Sequence, residues 1–367
     1  MPSKKNKKEV WNYNKGEWSE IYTFAYLLNS GVLYSADKDL NKIEDIYFPI
    51  IKVIREENVG TPIDYFTGET IRIYKGDILL KEVEKSQFDK ITNTLLEKIP
   101  LGAQSFTIPE ADSFFKAIYC EKIKASSRKK EDITLQLHDI HTGIKPTLGF
   151  SIKSYLGGNP TLFNASKGGT NFIFEIGNCN DNIMNAFNKI NTKKKLIDRI
   201  LYLKNSSCVL NPIPHSISSQ FEENLQFIDT LMPQLLQHIV FYSYWHKLNN
   251  ITEIIEKIKE DNPLKYSNTE IYTYKTKKLL TAFALGLVPE RSDWCGVEDA
   301  NGGYITVKSD GSVVCYHLYN RAELEDYLYN YTYLDRPSSS KKKYDYMEIY
   351  KEDNKYKVKL CLQIRFR

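Results

Sequence analysis

Apolar residues recur along this chain at two spacings, one that winds around a helix and one that alternates across a strand, and the spacing changes several times. From Glu17 to Leu28 apolar side chains fall on almost every side of a helical wheel, which predicts a helix running through the interior. Asn14 precedes it, with Glu17 at the third position, the pairing that satisfies free amides at a helix start. A second helical pattern covers about Leu40 to Glu57, and Thr61 to Tyr74 reads as a hairpin turning at Thr67-Gly68. Helices follow near Lys81 to Ile99 and Pro109 to Lys124, the latter with its proline early, where a missing amide does no harm. In the centre Asp132 to Asp139, Thr147 to Tyr155 and Thr170 to Ile176 read as strands between glycine-rich turns. Helical spacing resumes over Asp181 to Leu203, over Ser216 to Lys259 with a break at Pro233, and over Thr269 to Leu287. The last part, Gly302 to Arg367, alternates around a turn at Asp310-Gly311, forms a short helix at Ala322 to Tyr329, and ends in a hairpin near Asp353-Asn354. The order predicts a mixed α/β (α+β) protein with an arm over 1–13, a core with N-terminal helices over 14–210, a helical region over 211–300 and a β-rich C-terminal region over 301–367.

Composition narrows the class. A hydrophobic share of 42% with 26% charged residues is that of a globular protein. The first eight residues lack the apolar stretch of a secretion signal, and no later run approaches the ~20 apolar residues of a membrane span, so the expectation is a cytoplasmic protein without a membrane partner. Six cysteines lie far apart with no C-x-x-C pair, which argues against a zinc knuckle and a disulfide framework. The net charge of +4 is small, but its placement is uneven. Lys4, Lys5, Lys7 and Lys8 form a basic arm, and Lys341 to Arg367 holds nine Lys or Arg against four Asp or Glu. Such ends suit a polyanion such as DNA, although a lysine-rich terminus is more often only a solvated one.

Chemistry concentrates in the central strands. Asp139 closes one predicted strand and Ser151-Ile152-Lys153 lies in the next, with Ser151 and Lys153 on the side opposite Phe150 and Ile152. A carboxylate that holds a divalent cation and a lysine that handles the attacking water are what phosphodiester hydrolysis needs. Alone the spacing is a weak signal, because a strand-end Asp is usually a turn residue and Lys153 fits a solvated edge lysine. Glu20, on the apolar helix, needs a cation or lysine beside it if buried. Glu17 has a capping role available, and Glu175 on the third central strand is another candidate carboxylate. His138 and His141 flank Asp139, but in a strand and turn that spacing does not bring both rings to one metal. Neither a G-x-x-x-x-G-K-[ST] phosphate loop nor a G-x-S-x-G elbow occurs, which excludes the commonest ATP-driven and serine-hydrolase designs.

Several separated segments in order resemble one family. Asn14 to Tyr22, Leu148-Gly149-Phe150-Ser151-Ile152-Lys153-Ser154, Thr161 to Ser166, Thr170 to Ile173, Gly303-Tyr304-Ile305 through Cys315-Tyr316-His317, Asp335 to Lys341 and Gln363 to Phe366 resemble HpaII-type restriction endonucleases. The resemblance spans nearly the whole chain. It implies a nuclease core of the PD-(D/E)xK kind, magnesium as cofactor, and cleavage of double-stranded DNA at CCGG. Carried over, Asp139 matches the metal-binding Asp and Lys153 the catalytic Lys, while Ser151 stands where the wider superfamily has Asp or Glu. Glu20 is then the candidate for the missing metal carboxylate. Reading guanine calls for Arg or Lys in the major groove, and Arg336, Lys341, Lys342 and Arg72 are candidates, with Ser338, Ser339 and Ser340 placed for DNA contact. The family also implies a DNA cytosine methyltransferase as functional companion, and a palindromic site is compatible with a homodimer. A structure-selective repair nuclease and a non-catalytic DNA-binding protein are the alternatives.

Overall fold

A computed structural model describes residues 10–58, 60–121, 130–339 and 343–367. In chain order the first elements are β1 (Tyr13–Asn14), α1 (Lys15–Ser30), β2 (Val32–Ala36), β3 (Lys42–Asn58), β4 (Thr61–Phe66), β5 (Thr70–Lys75), β6 (Ile78–Glu84), α2 (Lys85–Lys98), β7 (Ser105–Phe106) and α3 (Pro109–Ala117). The middle contains β8 (Ile133–Leu137), β9 (Thr147–Ser154), β10 (Thr161–Phe163), β11 (Asn171–Gly177), α4 (Asp181–Lys189), α5 (Lys195–Asn205), β12 (Val209–Pro212), α6 (Ser219–Gln226), α7 (Met232–His246), α8 (Ile251–Asp261) and α9 (Glu270–Leu285). The last elements are β13 (Gly303–Val307), β14 (Val313–His317), α10 (Arg321–Tyr331), β15 (Thr332–Leu334), β16 (Ile349–Glu352), β17 (Lys355–Cys361) and β18 (Ile364–Phe366). The mixed α/β class is as expected.

One expected helix is a strand. Leu40 to Glu57 forms most of β3, which pairs with β2, β4 and β8. Its residues are rich in isoleucine and contain Pro49, both poor in a helix interior. Bulges between Ile50 and Lys52 and between Glu56 and Asn58 break the strict alternation, so the apolar positions mimic helical spacing. Likewise β6 precedes α2 where the helix was expected from Lys81, and Asp181 to Leu203 is two helices. Residues 122–124 of the expected third helix lie outside the described residues.

The chain folds as two compact units, each made of two stretches of sequence rather than consecutive blocks. The first unit holds residues up to Pro160 and Asp299–Leu324. Its nine-stranded sheet runs β2-β14-β13-β9-β8-β3-β4-β5-β6. Because β2 pairs with β14 on one edge and β3 on the other, strands β3, β8, β9, β13, β14 and β2 close into a ring. Gly303, at φ +120°, admits the close pairing of β13 with β14, since a Cβ there would sit 2.0 Å from the Tyr316 carbonyl oxygen. Helix α1 starts with the expected reciprocal cap, Glu17 N to Asn14 Oδ1 at 3.0 Å and Asn14 N to Glu17 Oε2 at 2.9 Å. Trp18, Phe24 and Leu28 are fully buried and join Leu135, Phe150, Ile152 and Ile305 in one apolar core, so α1 covers the apolar side of the central strands.

The second unit holds Thr161–Glu298 and Glu325–Arg367. Two small antiparallel sheets, β12-β11-β17-β16 and β10-β18-β15, are packed with helices α4 to α9. Stacked rings of Phe163 and Phe283, 3.9 Å between centroids, mark its interior. The β16–β17 hairpin turns at Asp353 and Asn354, both at positive φ, as the sequence leads one to expect. Among the described residues no helix is long and apolar enough to cross a membrane.

Candidate active site

Strands β8 and β9 pair antiparallel, with Ile133 opposite Phe150 and Gln136 opposite Thr147. An antiparallel hairpin sets the start of its first strand against the end of its second. The residue that meets Ser151 is therefore Asp132, at the mouth of β8. Asp132 Oδ2 accepts from Ile152 N at 2.7 Å and from Ser151 Oγ at 3.2 Å, and Asp132 N donates to Phe150 O at 2.8 Å. Strand alternation turns Phe150 and Ile152 toward the apolar core and Ser151 and Lys153 to the other face. Lys153 follows Ser151 by one side-chain period, about 7 Å. It is half-buried, and its Nζ lies 3.2 Å from Ile152 O.

Strand β13 lines the same face from the other side, with Tyr304 beside Ser151 and Thr306 beside Lys153 in parallel register. Tyr304 is fully buried, and burial, followed by the charge of nearby groups that include Asp132, raises its hydroxyl pKa well above the usual tyrosine range. Thr306 Oγ1 is buried and has no hydrogen-bond partner among the described residues. Lys130 adds a second amine. Burial and then the neighbouring Lys153 push its pKa down to about 8, while Asp132 and Asp299 act in the opposite sense. Asp299 Oδ2 also accepts from Lys130 N at 3.0 Å. Two lysines and two carboxylates thus share one polar region beside a buried serine.

The expected meeting of Asp139 with Lys153 does not occur. Lys153 lies six residues beyond Thr147, about 20 Å along the strand, whereas Asp139 lies three residues beyond Gln136 toward the opposite end. Asp139 is 3% exposed and closes the hairpin turn, accepting from His141 N at 2.9 Å and Thr142 N at 3.2 Å through Oδ1 and from Tyr319 Oη at 2.7 Å through Oδ2. The bond from Tyr319, then the one from Thr142, hold its carboxyl far below the usual range. His317 lies near this turn, its ring tilted against that of Phe48 with centroids 4.4 Å apart, and burial pushes its pKa down to about 4 from 6.5. A depressed histidine stabilises the fold above its unfolded pKa, and that stability drains away as pH falls from about 6.5 to about 4. Urea unfolding across this window is expected to show a loss on the order of 2–3 kcal/mol, and His317→Phe should flatten that part of the profile.

The remaining candidates are dispersed. Glu20 is half-buried on α1, which covers the opposite side of β9 from Ser151 and Lys153, so the hairpin itself rather than this helix supplies the acid that meets Ser151. Glu17 is occupied in the helix cap. Glu175 lies in the second unit, where Lys355 Nζ donates to it at 2.7 Å. Arg72 is exposed on β5 of the first unit. Arg336, Ser338 and Ser339 belong to the second unit, and Ser340, Lys341, Lys342 and the lysines of the N-terminal arm lie outside the described residues. Among the described residues no three His, Cys, Asp or Glu side chains gather as a metal cage. Asp132 was legible in principle, because counting the hairpin register back from Lys153 leads to the start of β8 rather than its end.

Comparison with known proteins bears on the same region. Residues 14–366 match the model of the HpaII restriction endonuclease family. The chain is 38% identical over 376 aligned positions to the type II restriction enzyme HpaII of Haemophilus parainfluenzae, an alignment covering 98% of this chain and 99% of that protein. No solved structure matches. With β9, β13 and the segments flanking them all inside a match that leaves out only the ends, the chain belongs to the HpaII restriction endonuclease family.

Proposed function

We propose that this protein is a type II site-specific deoxyribonuclease that hydrolyses both strands of double-stranded DNA at CCGG, using the Asp132, Ser151 and Lys153 face of the β8–β9 hairpin. The observation that carries this reading is the convergence of Asp132 on Ser151, one side-chain period from Lys153, in a chain of the HpaII family. It corresponds to a PD-(D/E)xK-like core in which the aspartate sits at the start of the first strand and serine replaces the second acid.

The donor set suits magnesium, since a carboxylate and a hydroxyl are hard oxygen ligands. Asp132 and Ser151 would hold the cation, which when bound places positive charge against the scissile phosphate and acidifies a water. Lys153 orients the attacking water and balances charge building on the phosphate oxygens. Buried Thr306 stands beside it on β13. Ile152 N, donating to Asp132, fixes the carboxylate without consuming its second oxygen. The family's methyltransferase would protect host sites, and a homodimer would match the two-fold symmetry of the target.

Incubation of the purified chain with plasmid DNA and magnesium is expected to yield discrete limit fragments ending at CCGG, and chelation should stop the reaction. Nicking confined to branched or damaged DNA would instead indicate a repair nuclease. Retarded but intact DNA would indicate a binding protein.

A further inference from the structure

A cleft of about 560 Å³ opens in the second unit between the segment entering α5 and the loop after β15. Lys193, Lys194, Lys195, Arg336, Ser338 and Ser339 supply its polar lining. Three features make it a receptor for an anion. First, none of the three lysines is in an ion pair among the described residues, and Lys193 and Lys194 are exposed. Second, α5 is 11 residues long and begins here at Lys195, with Lys194 at the cap position and no side-chain cap, so the positive end of a helix lies at the opening. Third, Ser339 is only 8% exposed, yet its Oγ has no hydrogen-bond partner among the described residues. A hydroxyl buried at the wall of a basic cleft and left without a partner is a donor waiting for an acceptor.

Arg336 is held for the same purpose. One guanidinium nitrogen donates to Ser243 O at 2.9 Å, and the group lies 5.3 Å over the Tyr244 ring, while its buried Nε has no partner among the described residues. Among the described residues no carboxylate is paired with the guanidinium, and Asp198, in the first turn of α5, accepts from Thr192. The apolar walls, Pro337, Leu196 and Ile197, leave room for more than a bare ion.

We propose that this cleft seats a phosphate of the DNA backbone together with its flanking sugars, fixing the register of the second unit on the duplex without reading bases. The inference rests on the nuclease reading above, because that reading makes duplex DNA the polyanion that meets this surface.

Fluorescence anisotropy on the full chain, with calcium in place of magnesium, tests it with two labelled duplexes of equal length, one containing CCGG and one scrambled, from about 50 to 200 mM salt. The variant carrying Lys193→Ala, Lys194→Ala and Lys195→Ala is expected to bind both duplexes at least 10-fold more weakly, and its log–log salt slope should fall by about 1 to 2. The matching triple Lys→Arg variant should bind as the wild type does, and Ser339→Ala should weaken both duplexes about equally. Should the triple alanine variant not fold, the single exposed change Lys194→Ala reads out the same slope. Unchanged affinity and slope, in a protein whose wild type binds and cuts, overturn the cleft and leave the nuclease standing. A loss confined to the CCGG duplex with an unchanged slope also overturns it, by assigning the cleft to base reading. Wild-type protein that neither binds nor cuts either duplex removes both proposals.

Discussion

Lys153→Ala should lower plasmid cleavage by about 10²–10⁴-fold, the usual share of a positioned acid–base group, while leaving sequence-specific binding in calcium within a few-fold of wild type. The separation of the two readouts follows from position. Lys153 is one of several cations that DNA would meet, so its loss costs little of the backbone attraction. It is, however, the amine that follows Ser151 by one side-chain period on the same face of β9. Gel-based limit digests and calcium-supported anisotropy on one preparation check both halves. Normal cutting would remove Lys153 from the chemistry.

Two aspartate variants should part company just as sharply. Asp132→Asn is expected to reduce cleavage about 10³-fold, equivalent to roughly 4 kcal/mol of barrier, because it removes the charged oxygen facing Ser151. The amide can still accept from Ile152 N, so the melting temperature should change little. Asp139→Asn should do the reverse. Its carboxylate accepts three hydrogen bonds that close the hairpin turn, and an amide satisfies them less well, so the fold is weakened while cleavage per folded molecule persists. Because the folded carboxyl is held below its unfolded pKa, the stability it confers is present above the ordinary carboxylate pKa and is lost as pH falls below it toward the depressed folded value. Asp139→Asn should remove that part of the acid transition. Glu20→Gln, assayed beside them, reports whether α1 contributes to the reaction at all. Loss of cleavage in Asp139→Asn with full activity in Asp132→Asn would reverse the assignment.

Local chemistry was readable where the local signal was strong. The Asn14–Glu17 cap, the turn at Asp353-Asn354 and the apolar side of β9, with Phe150 and Ile152 in the core, each depend on a few adjacent residues, and each is found in place. The strand β3 was not readable, because its bulges disguise its period and its stability comes from pairing with three strands, of which β8 is far away in sequence. The site shows the same division. Ser151 and Lys153 were marked by their own strand, but the acid that meets Ser151 depends on pairing register, and the end of a predicted strand was a more visible place to look than its beginning. Lys193 to Lys195 were hidden for a third reason. They lie at the break between α4 and α5 and at the first residue of α5, a junction that helical spacing alone bridges, and only folding brings them beside Arg336 and Ser339.

The discontinuous make-up of the first unit has a consequence for the order in which a ribosome delivers it. The β8–β9 hairpin emerges early, with Asp132 and Lys153 already on it, but the strand that flanks Lys153 arrives only after the whole Thr161–Glu298 stretch has been made. Until then one edge of β9 has no neighbour, the ring cannot close, and nothing buries Ser151 from that side. A chain that ends before Gly303–Val307 therefore carries Asp132, Ser151 and Lys153 without the strand that pairs with β9 on that side.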